Sequence, residues 1–203
     1  MAVITISRQF GAGGRTLGKK VAQRLNYLFE DDAIIQEIAR KAKVSKRSVV
    51  GHEQTAGSLI SRILSTMVDR SYMERLTGDK VGYLDEVIYV ETLTEVITEF
   101  AQKDNVVLLG RASQYILQNT ENVFHVLMVA EETDRIGFLQ KAYNLSPDRA
   151  RKSVEHGDKR RRNLYSKFAK SGYNDPILYD MCLNMSRVPM DRAADLVCKM
   201  VTG

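Results

Sequence analysis

The stretch ITISRQFGAGGRTLG, residues 4–18, poses the question on which the fold turns. Ahead of its glycine cluster, residues 2–7 mix β-branched and small side chains, which predicts a short buried strand running into a loop. From Thr16 onward, Leu17, Val21 and Leu25 recur at helical intervals with Lys19, Lys20 and Arg24 between them, so an amphipathic helix follows and ends near Asn26. Strand, glycine cluster and helix start in succession form a physical device for anions. Unpaired amides at the helix terminus point at a ligand, and glycines let the backbone come close. The Walker pattern GxxxxGK[ST] adds a lysine for the terminal phosphates and a hydroxyl for magnesium. Here Gly13-Gly14-Arg15-Thr16 fits GK[ST] with arginine in place of lysine, and Gln9 occupies the first-glycine position. The stretch alone is compatible with a phosphate loop that has lost its lysine, and equally with a turn that needs glycine only for its backbone angles. Arginine clamps phosphate oxygens bidentately but is bulkier than an ammonium, so it is no neutral replacement.

Working outward, FEDDAIIQEIARKA predicts a short strand or turn and then a helix with acidic residues in its first turn. A helix start is expected at Ser45, a helix over 58–75 on Leu59, Ile60, Ile63, Leu64 and Met67, and a loop at LTGDKVGY. A long helical pattern runs from Leu84 to Lys103. It precedes DNVVLLGR, a buried strand stopping at Gly110 and Arg111. FHVLMVA, residues 124–130, is a third strand, followed by a helix from about Glu131. The next helix opens at SPDR, where Ser146 suits the cap and Pro147 the first helical position. LYDMCLNM predicts a further strand, and PMDRAADLVCKMV a closing helix. Strands alternating with helices imply a parallel sheet covered on both faces, with ligands gathered beyond the carboxyl ends of its strands. That edge unites the glycine loop with Arg111.

Composition bounds the function. The 203 residues suit one globular domain, and 44% hydrophobic with 27% charged residues is the balance of a soluble protein. No apolar run approaches the roughly 20 residues of a membrane span. The N-terminal residues lack a secretion-signal layout, so a cytoplasmic location is expected. Cys182 and Cys198 are too few for a disulfide framework and, with three histidines, show no zinc-ligand spacing. A net charge of +5 favours an anionic partner. Its excess is local: Arg149, Arg151, Lys152, Lys159, Arg160, Arg161, Arg162, Lys167 and Lys170 face only Glu155 and Asp158.

In order along the chain, ITISRQFGAGGRTLGKKVAQRL, FEDDAII, VVLLGRASQYIL, FHVLMVAEETDRI, VEHGDKRRRNLY and DPILYDMCLNMSRV resemble the cytidylate kinase-like family. This branch of the nucleoside monophosphate kinases has a variant P-loop. The resemblance spans nearly the full length and is weakest over residues 45–95. It implies an α/β three-layer P-loop kinase fold with a central parallel sheet, in one domain. A helical acceptor-binding region over about 32–82 and a basic lid over about 146–172 complete it. ATP and magnesium are implied as cofactors. Carried over by position, Gly11, Ala12, Gly13, Gly14, Arg15 and Thr16 hold the donor phosphates, and Thr16 contacts the metal. Asp31 lies near the acceptor, Arg111 binds its phosphate, Arg135 opens the helix after the third strand, and Asp158 with Arg161 matches the lid. Two departures stand out: the loop lacks its lysine, and a GRD that seats the acceptor nucleotide reads Gly110-Arg111-Ala112 here. Ala112 can neither accept a hydrogen bond nor offer a charge, so the acceptor stays open.

Phosphoryl transfer leaves a protein mainly positioning and charge stabilisation to do, and arginines do both. Arg15 and Arg161, flanked by Arg160 and Arg162, are the expected catalytic groups, with Arg111 fixing a small phosphorylated acceptor. Two other readings compete with a nucleoside monophosphate kinase. One is a nucleotide-binding sensor or regulatory protein on the same fold. The other, disfavoured by the lack of recognition motifs, is a nucleic-acid binder using the basic helix.

Overall fold

In a computed structural model of the chain, residues 2–55, 84–168 and 172–203 are described. The expected helix over 58–75, the loop at 76–83, and residues 169–171 of the expected lid lie outside them. The sheet holds β1 (Val3–Arg8), β2 (Leu28–Glu30), β3 (Val106–Leu109), β4 (Val123–Val129) and β5 (Met181–Asn184), in the order β2-β3-β1-β4-β5. All four pairings are parallel, with Val3 opposite both Val106 and Val123, and Leu28 opposite Val106. β3 is buried on both faces, which is why it reads as an unbroken apolar run and not as an alternation, while β1 is buried as fully over Val3–Ser7 although Thr5 and Ser7 interrupt its apolar residues.

Two cores form because a strand sends successive side chains to opposite faces. Val106 and Leu108 join Ile34, Ile38, Leu93 and Ile97 on one side, beneath α2 (Asp32–Lys41) and α4 (Glu86–Gln102). Val107 and Leu109 join Leu17, Val21, Ala193 and Val197 on the other, beneath α1 (Gly14–Leu25) and α8 (Met190–Thr202). Helix, sheet, helix: the three-layer architecture is the one expected. Surface pairs Lys20–Asp191 (2.8 Å) and Arg24–Asp195 (2.7 Å) tie α1 to α8, adding about 0–1 kcal/mol each.

Between β2 and β3 the chain leaves the sheet through α2 and α3 (Lys46–Thr55) and returns through α4. Ser45 caps α3 by accepting from the Ser48 amide at 3.0 Å, and Asp85 caps α4 by accepting from Ile88 at 2.8 Å. After β4 come α6 (Glu132–Tyr143) and the basic α7 (Pro147–Tyr165). Pro147 sits in the first turn of α7, but the Ser146 side chain makes no capping bond. Two short elements had no periodic signal to betray them: α5 (Ser113–Ile116) and a 3₁₀ turn at Pro176–Leu178. Among the described residues no helix is long and apolar enough to cross a membrane.

The α1 helix begins at Gly14, two residues earlier than its apolar spacing indicates, and lies close on the sheet. A Cβ on Gly18 would stand 2.5 Å from the Phe29 ring. Gly18→Ala is therefore expected to lower stability by about 1–3 kcal/mol through overpacking, read as a reduced urea midpoint at unchanged slope.

Candidate active site

Beyond β1 the chain turns through Gly11 (φ 86) and Gly13 (φ 83), left-handed conformations that side chains disfavour. Gln9 N–H donates to Met128 O at 3.0 Å and Ala12 N–H to Gln9 O at 3.3 Å, closing the loop on itself. The first bond of α1 runs from Leu17 N–H to Gly13 O at 3.0 Å, so the amides of Gly14, Arg15 and Thr16 precede the helical ladder. The loop has the form of an anion cradle.

Its back is clamped. Asp158 on α7 accepts from the Phe10 amide at 2.7 Å and from Arg135 Nη1 at 2.5 Å, while Arg135 Nη1 also donates to Phe10 O at 3.3 Å. Both side chains are buried, and the pairing offsets the cost of taking each charge out of water. Arg161 lies over the Phe10 ring at 5.1 Å, and its guanidinium donates to Gly157 O at 3.3 Å. One residue of the loop, Phe10, thus joins β1, α6 and α7.

In front of the loop a cavity of about 850 Å³ opens at the carboxyl ends of the strands. Gly11, Gly13, Gly14, Arg15, Thr16, Asp31, Arg111, Arg160 and Arg161 all line it. Ala12 is buried in the core below. Arg135, Asp158 and Arg162 line a separate hollow behind the loop with Gln9 and Tyr173. The sequence-derived set therefore divides in two, one part facing the cavity and one bracing the loop.

On the side of the cavity walled by α2 and α3, Asp31 stands at the start of α2 and takes two arginines. Arg111 Nη1 donates to its Oδ1 at 2.8 Å and to its carbonyl at 3.0 Å, and Arg15 Nη2 donates to its Oδ2 at 2.5 Å. Arg15 also reaches Asp32 at 3.1 Å, and Arg111 Nε reaches Glu53 at 3.1 Å, where Tyr89 donates at 2.9 Å. Burial alone would raise the Asp31 carboxyl, but Arg111, Arg8 and Arg15 hold it below the ordinary carboxylate range. Burial likewise opposes the Arg111 charge, and Glu53 with Asp31 reverses that and pushes its pKa up.

Two members of the site are not among the residues picked out from sequence. Glu53 lies on α3, where periodicity marks a helix but no partner. Arg8 ends β1 and turns its side chain into the cavity, where it has no hydrogen-bond acceptor among the described residues. Its signal was available: a cation closing an otherwise uncharged buried strand, immediately before a glycine loop.

A profile of the cytidylate kinase-like family matches residues 3–187. The chain belongs to that family. No curated protein sequence matches it. Among solved structures, an uncharacterized protein from Eubacterium ventriosum aligns at 17% identity over 99% of this chain and 98% of its own, with a TM-score of 0.68. Shikimate kinase from Bacteroides thetaiotaomicron aligns at 14% identity over 98% of each chain, TM-score 0.54. Shikimate kinase from Acinetobacter baumannii in complex with shikimate aligns at 18% identity over 99% and 93%, TM-score 0.50. At these identities the likeness establishes the fold, that of the P-loop kinases.

The depressed Asp31 carboxyl carries a stability consequence with a definite sign. Its contribution is present above the unfolded value of about 4 and is lost as pH falls through the lower folded value. Asp31→Asn is expected to melt lower than the native protein at pH 7 and to show a shallower loss of stability below about pH 4, followed by thermal melts across pH.

Proposed function

We propose that the chain is an ATP-dependent phosphotransferase. Its donor phosphates lie on the 11–16 loop, and its acceptor is a nucleoside monophosphate or a similar small phosphorylated molecule. The observation that carries this reading is the convergence of loop amides with Arg15, Arg111 and Arg161, from three separate segments, in one cavity at the carboxyl edge of a parallel sheet. Membership of a kinase family supports it. Seven cationic and three anionic side chains line the cavity among the described residues, a surplus that suits a polyphosphate.

The chemistry follows from placement. Amides of the loop hold the donor phosphates, and Arg15 at the rim and Arg161 on the lid helix converge on the moving phosphoryl group, where charge builds as the bond to the donor lengthens. Arg160 lies beside Arg161 on the same wall. Arg111, fixed by Asp31 and Glu53, orients the acceptor. Arg135 and Asp158 serve both substrates by holding Phe10, and Arg162 faces the hollow behind them. The Thr16 hydroxyl and the Asp32 carboxylate on the cavity wall are hard oxygen donors of the kind magnesium takes, and the ion would neutralise phosphate charge there. A phosphorylated acceptor is anionic at neutral pH and needs no strong base. In this reading the whole chain is one domain, α2 and α3 are the described part of the acceptor region, and α7 is the lid. A cytoplasmic location belongs to the same proposal.

A sensor that binds nucleotide without turnover is the second reading. The observation that favours it is Arg15 already neutralised by Asp31 and Asp32. A coupled assay of ATP consumption against a panel of nucleoside monophosphates and small alcohols decides between them. The kinase reading expects one acceptor to raise consumption well above background, and a uniformly flat panel with tight ATP binding selects the sensor. Within the kinase reading, Arg161→Ala should lower kcat by about 10²–10³ while ATP affinity changes far less, because the guanidinium acts on transition-state charge.

A further inference from the structure

We infer that Arg8 supplies, from the end of β1, the cation that a phosphate-binding loop ordinarily takes from its lysine. The inference rests on the phosphotransferase reading and names a group which that reading lacks.

The argument begins with register. A Walker lysine follows the last glycine of the loop and opens the helix. In this chain the left-handed residue that caps α1 is Gly13, and the first helical residue is Gly14. By that geometry the lysine position is Gly14 and the first-glycine position is Arg8, one residue earlier than the sequence match through Arg15 and Gln9. Arg15 supports the shift. Its side chain is half exposed and engaged with Asp31 and Asp32, so it does not lie back along the loop as a buried lysine stem would.

Volume makes the exchange explicit. A Cβ built on Gly14 would stand 2.9 Å from Arg8 Cγ and 3.1 Å from Cδ. The Arg8 stem therefore fills the space in which a lysine at residue 14 would start, and the two cannot coexist without displacement. Farther out, a Cβ on Gly110 would fall 1.8 Å from Arg8 Nη1 and 3.4 Å from the Tyr165 hydroxyl. The guanidinium thus lies directly over Gly110, at the end of β3, and two glycines keep its path clear.

Charge shows what the group awaits. Arg15, Arg111 and Arg135 each hold a carboxylate, whereas Arg8 meets none in hydrogen-bond contact among the described residues. Arg161 shares the cavity with only a carbonyl and the Phe10 ring as contacts. Burial and then the neighbouring Arg161 push the Arg8 pKa down, and burial does the same for Arg161. A guanidinium keeps its proton at neutral pH, so two adjacent ones facing a cradle of amides are complemented by a polyanion and by little else.

The test measures binding, so it stands apart from turnover. Calorimetry with magnesium ATP and with inorganic tripolyphosphate, which probes the cradle alone, compares the native chain with R8A, R8K, R8G, G14K and the double variant R8G/G14K. R8A should bind both ligands at least about tenfold more weakly, the loss of one charge-assisted contact, while its ligand-free melting temperature holds or rises because an unpaired buried charge is gone. R8K should fall between R8A and native. G14K alone should melt lower, because two stems compete for one space, and R8G/G14K should bind better than R8G by restoring an ordinary lysine loop. Native affinity in R8A, a loss accompanied by a lower melting temperature that R8K does not rescue, or a double variant no better than R8G would overturn the assignment of Arg8. A native chain that binds neither ligand would overturn the phosphotransferase reading and this inference with it.

Discussion

An imbalance of charge at one edge of the sheet governs the rest of the molecule. Arginines arrive there from β1, α1, the end of β3 and α7, and the carboxylates that face them, Asp31, Asp32 and Glu53, all come from one side, on α2 and α3. Asp31 is the pivot, since it binds both Arg15 and Arg111. Among the described residues, pairing therefore uses up the anions on the α2–α3 side and leaves the β1–α7 side positive. Water screens such a surplus poorly in a half-buried cavity, so the site is poised for an anion and not merely permissive of one.

Holding cations close together requires a rigid frame, and the Phe10 clamp provides it. Its amide and carbonyl are both used by the Asp158–Arg135 pair, a buried ion pair whose members each make a further hydrogen bond. Gly157 lets α7 come so near that a Cβ would stand 2.4 Å from the Phe10 ring. The same contact seats Arg161 over that ring. Loop shape and the position of α7 are thereby linked: whatever moves α7 away also withdraws the carboxylate that holds the loop's backbone.

The layers of the fold were readable because burial writes itself into periodicity. Unbroken apolar runs at 106–109 and 126–129 marked central parallel strands, and the spacing of Leu17, Val21 and Leu25 marked α1. Arg111 was readable by position, as a cation just past a buried strand. Other features needed three dimensions. Arg8 was hidden because its role depends on the absence of a side chain at Gly14 and Gly110, residues separated from it by 6 and 102 positions. Glu53 was hidden because helical spacing fixes a face but not the group that the face meets. Arg135 and Asp158 were marked separately, Asp158 together with Arg161, and only the fold shows that they pair with each other and share a backbone unit of the loop as partner.

The two halves of the cavity differ in what they ask of a substrate. Near Arg111 an incoming phosphate meets one guanidinium but also two carboxylates already bonded to it, so little net attraction is left. Near Arg8 and Arg161 it meets two guanidiniums and, among the described residues, no bonded carboxylate. The strongest pull on phosphate therefore lies beneath α7, which is where the proposed phosphotransferase reading puts the donor. In the phosphotransferase reading proposed above, Asp31 and Glu53, acceptors of hydrogen bonds, would face the part of the acceptor that carries donors, such as hydroxyl or amino groups. In that reading Arg111 orients the acceptor together with the two carboxylates that it holds, and selectivity among acceptors would rest on the donors they present to α2 and α3.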